Sequence, residues 1–442
     1  MSARHHCRGR LALRQTECQP RPPGVTYPPP VTTTEPRDLV TAQARALRLE
    51  IVALPDTADP GALSALRRQH PEVDPALISA LATQVRLQRR GQDRLGGWAA
   101  DMVLEEEALQ QATRRDVARY RAGRLAGLLS ATHPIGDLTV ADIGCGLGVD
   151  ARALAETGLR VIAIERDPWR AEAAEVNLAA YASHVRVRRG DVLALDASFL
   201  EACDAAYVDP ARRAPGGPRR IDGGRARATH DPSDWSPPWP WVLSLSEHMP
   251  VVAKVAPGFD PGLAPSGADV EWIDHDGETV EATTWLGALG RGMRRATAVM
   301  ADGAESLEAP ASEAGRSGPS TTQTGLLLLE PSPGVARARL VGELAEQLGA
   351  PRLDGGGWLT ADAVPMTLLA RSWQVLEEVP YGARELRAWL RGRGSVTWKT
   401  ADAHVSAAQW DRRVGHRPAG GTSVTVVITG QGRAFAVERG AD

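Results

Sequence analysis

The stretch Leu138-Thr-Val-Ala-Asp142-Ile-Gly144-Cys-Gly146-Leu-Gly148-Val-Asp150 runs from an apolar strand pattern straight into Gly-x-Gly-x-Gly. A buried strand that feeds a glycine turn and then a helix is the start of a nucleotide-binding α/β unit. The dinucleotide form of this turn carries its third glycine one residue later, where the helix opens onto a pyrophosphate. The tighter loop here suits a ligand with no pyrophosphate, such as the methionine part of S-adenosylmethionine. The next strand, Val161-Ile-Ala-Ile-Glu165, ends in an acid. A carboxylate there can accept hydrogen bonds from both ribose hydroxyls. A glycine turn alone is ordinary; the acid at the expected distance turns it into a nucleotide site.

Other acids fall at matching places. Asp142 ends the first strand and can accept from the methionine ammonium. The helix N-terminus after Gly148 favours a carboxylate, through its free N–H groups and dipole. Asp150, in the first turn of that helix, reads either as a dipole complement or as a further cofactor contact. Asp167 precedes Pro168 and is expected to cap a helix. Asp191, after the third strand, is placed to accept from the adenine amino group. Asp209-Pro210 follows Ala205-Ala-Tyr-Val208 at the carboxyl edge of the expected sheet, where ligands sit in open α/β folds. A carboxylate there can orient an amino group for methylation and take its proton.

Arg212 and Arg213 open a Gly- and Pro-punctuated loop with further arginines at 219, 220, 225 and 227. Arginine forks suit phosphates, and a solvated loop is the competing reading. Lys254, in the apolar run Val251-Val-Ala-Lys-Val255, reads as a paired charge or a substrate contact. Ser236-Pro-Pro-Trp239 matches an amino-methyltransferase motif, yet no apolar run leads into it. Ser236 is therefore set aside, and Trp239 is kept as a candidate wall of the substrate pocket, where a base can stack. Carbon-5 methylation of a pyrimidine needs a placed cysteine nucleophile. Neither Cys145, in the cofactor loop, nor Cys203, before the fourth strand, is placed for that.

The chain has 442 residues and a formal net charge of −3. That length allows two or three domains, and the charge excludes a global basic field for nucleic acid. The four cysteines show no metal spacing or disulfide framework, which fits a reducing cytoplasm. No apolar run reaches membrane-spanning length, and no hydrophobic signal core opens the chain. No metal site is expected, and the oligomeric state is left open.

Residues 1–40, rich in Arg, Pro and Thr, read as a disordered tail, although His5, His6 and Cys7 are metal-capable in isolation. Residues 41–133 read as helical. Residues 134–300 alternate strand and helix, with parallel strands expected at 138–142, 160–165, 185–188, 204–208 and 250–255. Strand patterns at 270–273, 279–286 and 295–300 suggest an antiparallel closing hairpin. Residues 301–325, low in apolar anchors, read as a linker. A small α+β domain over 326–442 follows, with helices expected at 335–348 and 383–391. Strands are expected there at 395–399, 422–429 and 433–438. Arg384, Arg387, Arg391, Arg393 and Lys399 form a basic strip that is either a phosphate-binding face or a solvated helix face.

Asp142-Ile-Gly-Cys-Gly-Leu-Gly-Val-Asp150, Val208-Asp-Pro-Ala-Arg-Arg213, Val255-Ala-Pro-Gly258 and Val270-Glu-Trp-Ile273 together resemble bacterial class I methyltransferases with a C-terminal THUMP-like domain. The lead-in Leu109-Gln-Gln-Ala-Thr113 before Tyr120-Arg121 is similar to that family's. So are the tail motifs Leu340-Val-Gly-Glu-Leu344 and Arg371-Ser-Trp-Gln-Val-Leu-Glu377. The core also resembles trimethylguanosine synthases. The resemblance covers about residues 100 to 440. It implies a Rossmann-like α/β methyltransferase sheet with an N-terminal helical extension and a small THUMP-like domain. It also implies S-adenosylmethionine as cofactor and RNA, such as tRNA or rRNA, as partner. Two rival readings stay open: a small-molecule methyltransferase whose arginine loop grips an anionic substrate, and a non-catalytic RNA-binding protein on this fold.

Overall fold

The computed structural model describes residues 34–440 except 55, 58, 132, 196, 212–230 and 401–404. Arg212, Arg213 and the arginine-rich loop lie outside the described residues, as do His5, His6, Cys7 and most of the tail at 1–40. Packing divides the chain into two compact units. One holds Met1–Val255 with Trp285–Leu289, and the other holds Ala256–Thr284 with Gly290–Asp442.

The first unit opens with α1 (Ala42–Val52), α2 (Pro60–Gln69), α3 (Pro75–Leu95), α4 (Glu106–Gln111) and α5 (Arg115–Leu129). Asp59 and Asp74 cap α2 and α3, each with proline as the first helical residue. Both choices are pre-organised for a helix start. There follow β1 (Thr139–Ile143), α6 (Val149–Glu156), β2 (Arg160–Glu165), α7 (Pro168–Asn177), β3 (Val185–Arg189), β4 (Ala205–Val208), α8 (Trp239–Ser246) and β5 (Val251–Val255). These strands are parallel, in the order β3-β2-β1-β4-β5. Each lies within a residue of its expected position. Strand order reverses between β1 and β4. Ligands bind at such a switch point, beyond the carboxyl ends of the strands. Strands β1 and β4 are buried over nearly their whole length, as the middle of a parallel sheet requires.

The helical lead-in is bolted to the sheet by polar contacts. Asn177, the last residue of α7, accepts from the Val103 N–H at 2.7 Å. Its amide donates to the carbonyls of Val103 and Leu147 at 3.1 and 3.0 Å. Gln84 on α3 pairs with both backbone groups of Leu104, each at 2.8 Å. Gln88 on α3 donates to the Met102 carbonyl at 2.9 Å, so this segment takes backbone partners from side chains of α3 and α7, as a strand would from its neighbours.

In the second unit come β6 (Asp269–His275), β7 (Glu278–Leu286, whose last two residues count with the first unit), β8 (Met293–Met300), β9 (Gly303–Pro310) and β10 (Ser320–Thr321). They are followed by β11 (Leu327–Pro331), α9 (Pro333–Ala338), α10 (Val341–Leu348), β12 (Arg352–Leu353), β13 (Leu359–Ala361) and β14 (Ala370–Val379). The last elements are α11 (Ala383–Trp389), β15 (Val396–Lys399), α12 (Ala407–Val414), β16 (Val424–Ile428) and β17 (Ala434–Arg439).

The expected closing hairpin is β6 and β7, sheet neighbours joined by the two-residue turn Asp276-Gly277, a connection that only antiparallel strands allow. Strand β8 adds to β6 in parallel and β9 to β8 antiparallel. Two expectations for this half are corrected. The expected linker at 301–325 contains β9, paired with β8 from end to end. Only Leu307 and Ala309 of that strand are buried. Cross-strand pairs do the rest: Glu308 accepts from Arg295, and the Ser306 and Thr297 hydroxyls lie 2.9 Å apart. An edge strand held this way has too few apolar residues to register as a strand. The single helix expected over 335–348 breaks at Arg339, which takes φ +62° and ends α9.

Asn177→Ala is expected to destabilise the protein by about 1–3 kcal/mol, because it orphans backbone groups of Val103 and Leu147. Urea denaturation would show the lowered midpoint.

Candidate active site

The loop after β1 has the backbone its glycines permit. Gly144, Gly146 and Gly148 take φ of +82°, +54° and +84°, a region that side chains disfavour. A Cβ on Gly144 would lie 3.0 Å from the Asp209 carbonyl, and one on Gly148 2.8 Å from a Leu178 methyl, whereas Gly146 faces open space. The first and third glycines are thus needed for packing as well as conformation. The second leaves room above the loop.

Glu165 is tied into this loop. Its Oε2 accepts from the Gly146 N–H at 3.0 Å and its Oε1 from the Asp167 N–H at 2.8 Å. Asp167 caps α7 by accepting from the Arg170 N–H at 3.0 Å, as expected. Asp191 stands in the turn after β3, where its Oδ1 accepts from the Leu193 N–H at 3.0 Å. Asp150, on the first turn of α6, accepts from Arg121 and, at 2.9 Å, from the Thr113 hydroxyl. Its carboxylate is engaged by α5 and the segment before it.

Asp209 follows β4, its N–H donating to the Ile143 carbonyl at 3.1 Å. Its Oδ2 accepts from Lys254 Nζ at 2.7 Å, and its side chain keeps 30% exposure. Of the two sequence readings of Lys254, the paired charge is the one observed. The same ammonium donates to Thr113 Oγ1 at 3.2 Å and to the Gln111 carbonyl at 3.4 Å. Thr113 and Arg121, which sequence reasoning left in a helical lead-in, are therefore part of this site. Their only signal was the Gln-Gln-Ala-Thr113 motif ahead of Tyr120-Arg121.

Ser236 also comes closer than its sequence context suggests. Past Pro210, Ala211 and Ser236 exchange backbone hydrogen bonds of 2.8 and 3.0 Å. Ser236 Oγ accepts from Arg166 Nη1 at 2.9 Å. No apolar run leads into Ser236 because a tertiary bridge, not a strand of its own, brings it here. Trp239 is a correction. Instead of lining an open pocket it is 4% exposed, with its ring 6.0 Å from that of Trp235 in an edge contact. A ring so enclosed has little face left for a base.

Asp142 sits in the middle of these groups, fully buried, and neither of its carboxylate oxygens has a hydrogen-bond partner among the described residues. Burial first, then Asp150 and Asp209, hold its carboxyl well above the usual range, while Arg121 pulls the other way. Burial also raises Glu165, against the two N–H groups that it accepts from. Burial pushes the Cys145 thiol far up, and that of Cys203 to about 11. Neither is a thiolate near neutral pH, so neither is an activated nucleophile. Among the described residues no group of three or more His, Cys, Asp or Glu can hold a metal, and no helix is long and apolar enough to cross a membrane.

An orphaned, enclosed carboxylate with other acids around it calls for a cation. S-adenosylmethionine carries an ammonium and a sulfonium beside its carboxylate, and the residues present fit it. Asp142→Asn supplies the check. The folded-state pKa of Asp142 is raised, so its contribution to stability is present below the ordinary carboxylate range and lost as pH rises through the raised value. A bound cation favours the ionised form. S-adenosylmethionine binding should therefore release protons and weaken as pH falls through that raised pKa. Calorimetry in buffers of different ionisation enthalpy should detect the release in the parent and a smaller one in Asp142→Asn.

Comparison with known proteins points to the same cofactor. A THUMP domain-like family model matches residues 370–439, which run from β14 to β17. An uncharacterized S-adenosylmethionine-dependent methyltransferase of Mycobacterium tuberculosis, found alike in strains CDC 1551 and H37Rv, is 31% identical over 315 residues, covering 69% of this chain and 79% of the relative. The crystal structure of a putative methyltransferase from Porphyromonas gingivalis W83 shares the fold, with a TM-score of 0.64 and 19% identity, over 87% of this chain and 99% of that one. The orphaned carboxylate, the glycine loop and the length of this match lead to one conclusion: the chain belongs to the S-adenosylmethionine-dependent methyltransferases.

Proposed function

We propose that the enzyme methylates a nitrogen of an RNA base. The observation that carries this reading is Asp209, at the exposed end of β4, with one carboxylate oxygen held by Lys254 at 2.7 Å. The other oxygen can accept from an N–H of the incoming amino group. Accepting it fixes the direction of the nitrogen lone pair, and Pro210 stiffens the chain that carries the carboxylate. Lys254 balances the charge of Asp209, so this side of the site suits a neutral amino group better than a cationic amine. When bound, S-adenosylmethionine supplies an electrophilic methyl on sulfur. As the nitrogen becomes methylated it sheds a proton, which Asp209 takes and passes to water at the exposed edge.

The donor is held in this reading by Asp142 at its ammonium, by the Gly144-Gly146-Gly148 loop at its methionine end, by Glu165 at the ribose and by Asp191 at the adenine. Asp150 acts through Arg121 and Thr113 and not by direct contact. RNA is supported by the THUMP-like region and by arginines near the donor site. Arg186, Arg188 and Arg189 lie exposed along the edge strand β3 and form no ion pair among the described residues, although the Arg188 guanidinium lies 5.1 Å over the Phe199 ring. The basic strip on the tail is a weaker candidate. Arg387 donates to the carbonyls that end α12, Arg393 packs on Trp389, and Lys399 pairs with Glu330 at 3.0 Å. Those three serve the domain itself.

The deciding experiment gives labelled S-adenosylmethionine and purified enzyme to total RNA from a deletion strain and from its parent, with nucleosides read by mass spectrometry. One methylated nucleoside should form in the deletion RNA only. Labelling of small molecules and not RNA would favour the rival acceptor. Asp209→Asn should lower kcat by about 10² to 10⁴ while S-adenosylmethionine still binds. Replacing Arg186, Arg188 and Arg189 with alanine should weaken RNA binding and flatten its salt dependence by about 2 in slope, at roughly 0.7 for each single-stranded phosphate no longer neutralised. Filter binding over a salt series reads that slope.

A further inference from the structure

Thr113 is buried, in the segment joining α4 to α5. Its hydroxyl meets three charged groups: Asp150 Oδ2 at 2.9 Å, Lys254 Nζ at 3.2 Å and Arg121 Nη2 at 3.4 Å. A hydroxyl has one proton to donate and two lone pairs. An ionised carboxylate can only accept, and ammonium and guanidinium groups can only donate. The directions are therefore fixed. The Thr113 proton goes to Asp150, and its two lone pairs take Lys254 and Arg121. Every hydrogen-bonding capacity of the side chain is filled.

Each of its partners belongs to an ion pair. Arg121 and Asp150 form one, beside the cofactor loop, with the Arg121 guanidinium lying 4.6 Å over the Tyr207 ring. Lys254 and Asp209 form the other, at the acceptor edge. Thr113 hydrogen-bonds into both. We propose that Thr113 is a positioning residue for methyl transfer. It fixes the Lys254 ammonium so that this group holds Asp209 in register with the donor, and it makes the helical lead-in part of the catalytic apparatus. The proposal rests on the reading of Asp209 as the acceptor-orienting group.

Thr113→Val keeps the shape and removes the hydroxyl, leaving Asp150, Lys254 and Arg121 each one bond short. Thr113→Ser keeps the hydroxyl. In the RNA assay Thr113→Val should lose at least about tenfold in kcat, with KM for RNA little changed, and Thr113→Ser should stay within about threefold of the parent. A second readout needs no acceptor. The chain has only two lysines, Lys254 and Lys399, so ¹⁵N-lysine labelling gives two ammonium resonances, assigned with Lys399→Arg. The Lys254 resonance should shift or broaden in Thr113→Val and hold its place in Thr113→Ser. An unmoved Lys254 resonance in folded Thr113→Val overturns the proposal. So does a kcat loss in Thr113→Ser as large as in Thr113→Val. If the resonance moves as expected and the parent methylates no RNA, the positioning role stands and the RNA reading falls.

Discussion

A fully buried carboxyl group, that of Asp142 at the carboxyl edge of the sheet, is the constraint on which this site depends: neither oxygen has a hydrogen-bond partner among the described residues. Burying a carboxylate that way is costly unless it is protonated or meets a cation. Arg121 and Lys254 neutralise two of the neighbouring acids, Asp150 and Asp209. Asp142 is left over. The site is thus fitted to be a receptor for positive charge, which S-adenosylmethionine carries on its sulfonium and ammonium.

That receptor is assembled from parts far apart in the chain. The order reversal between β1 and β4 opens the crevice, and the glycine loop closes tightly enough to put Gly144 against the Asp209 carbonyl. The lead-in from Met102 to Arg121 is fastened by Asn177 and Gln84 and then delivers Thr113 and Arg121 to the charged cluster. The charged cluster is therefore complete only with the helical lead-in packed against the sheet. A hydroxyl at residue 113 is the smallest group able to serve an acid and two bases at once.

Much of this was legible in the residues. Strands β1, β2, β4 and β5 lay where their apolar runs placed them, because a parallel strand buried on both faces writes a continuous signal. Strand β3, a largely exposed edge strand, was placed by the alternation of strand and helix. The glycine loop, the place of Glu165 at the end of β2 and the Asp167 cap were readable since strand ends and helix caps have local chemistry. Strand β9 was missed because its pairing uses Glu308 and Ser306 and buries only two side chains. Trp239 was misread as a pocket wall because exposure is not written in a motif. Ser236 was set aside for want of a strand, and an antiparallel bridge to Ala211 supplied the proximity instead.

By itself, then, the sequence determined the elements and the donor chemistry: which runs must be strands, where the chain turns on glycine, and which acids lie near the strand ends. Those follow from periodicity and backbone sterics, which act over a few residues. Only the tertiary structure decided how the charges pair. Lys254 had two readings until its ammonium was found on Asp209, and Thr113 had none until three charged groups met at its hydroxyl. Coulomb attraction and hydrogen bonding act over a few ångströms of space, whatever the separation along the chain, so pairing is decided by what the fold brings together.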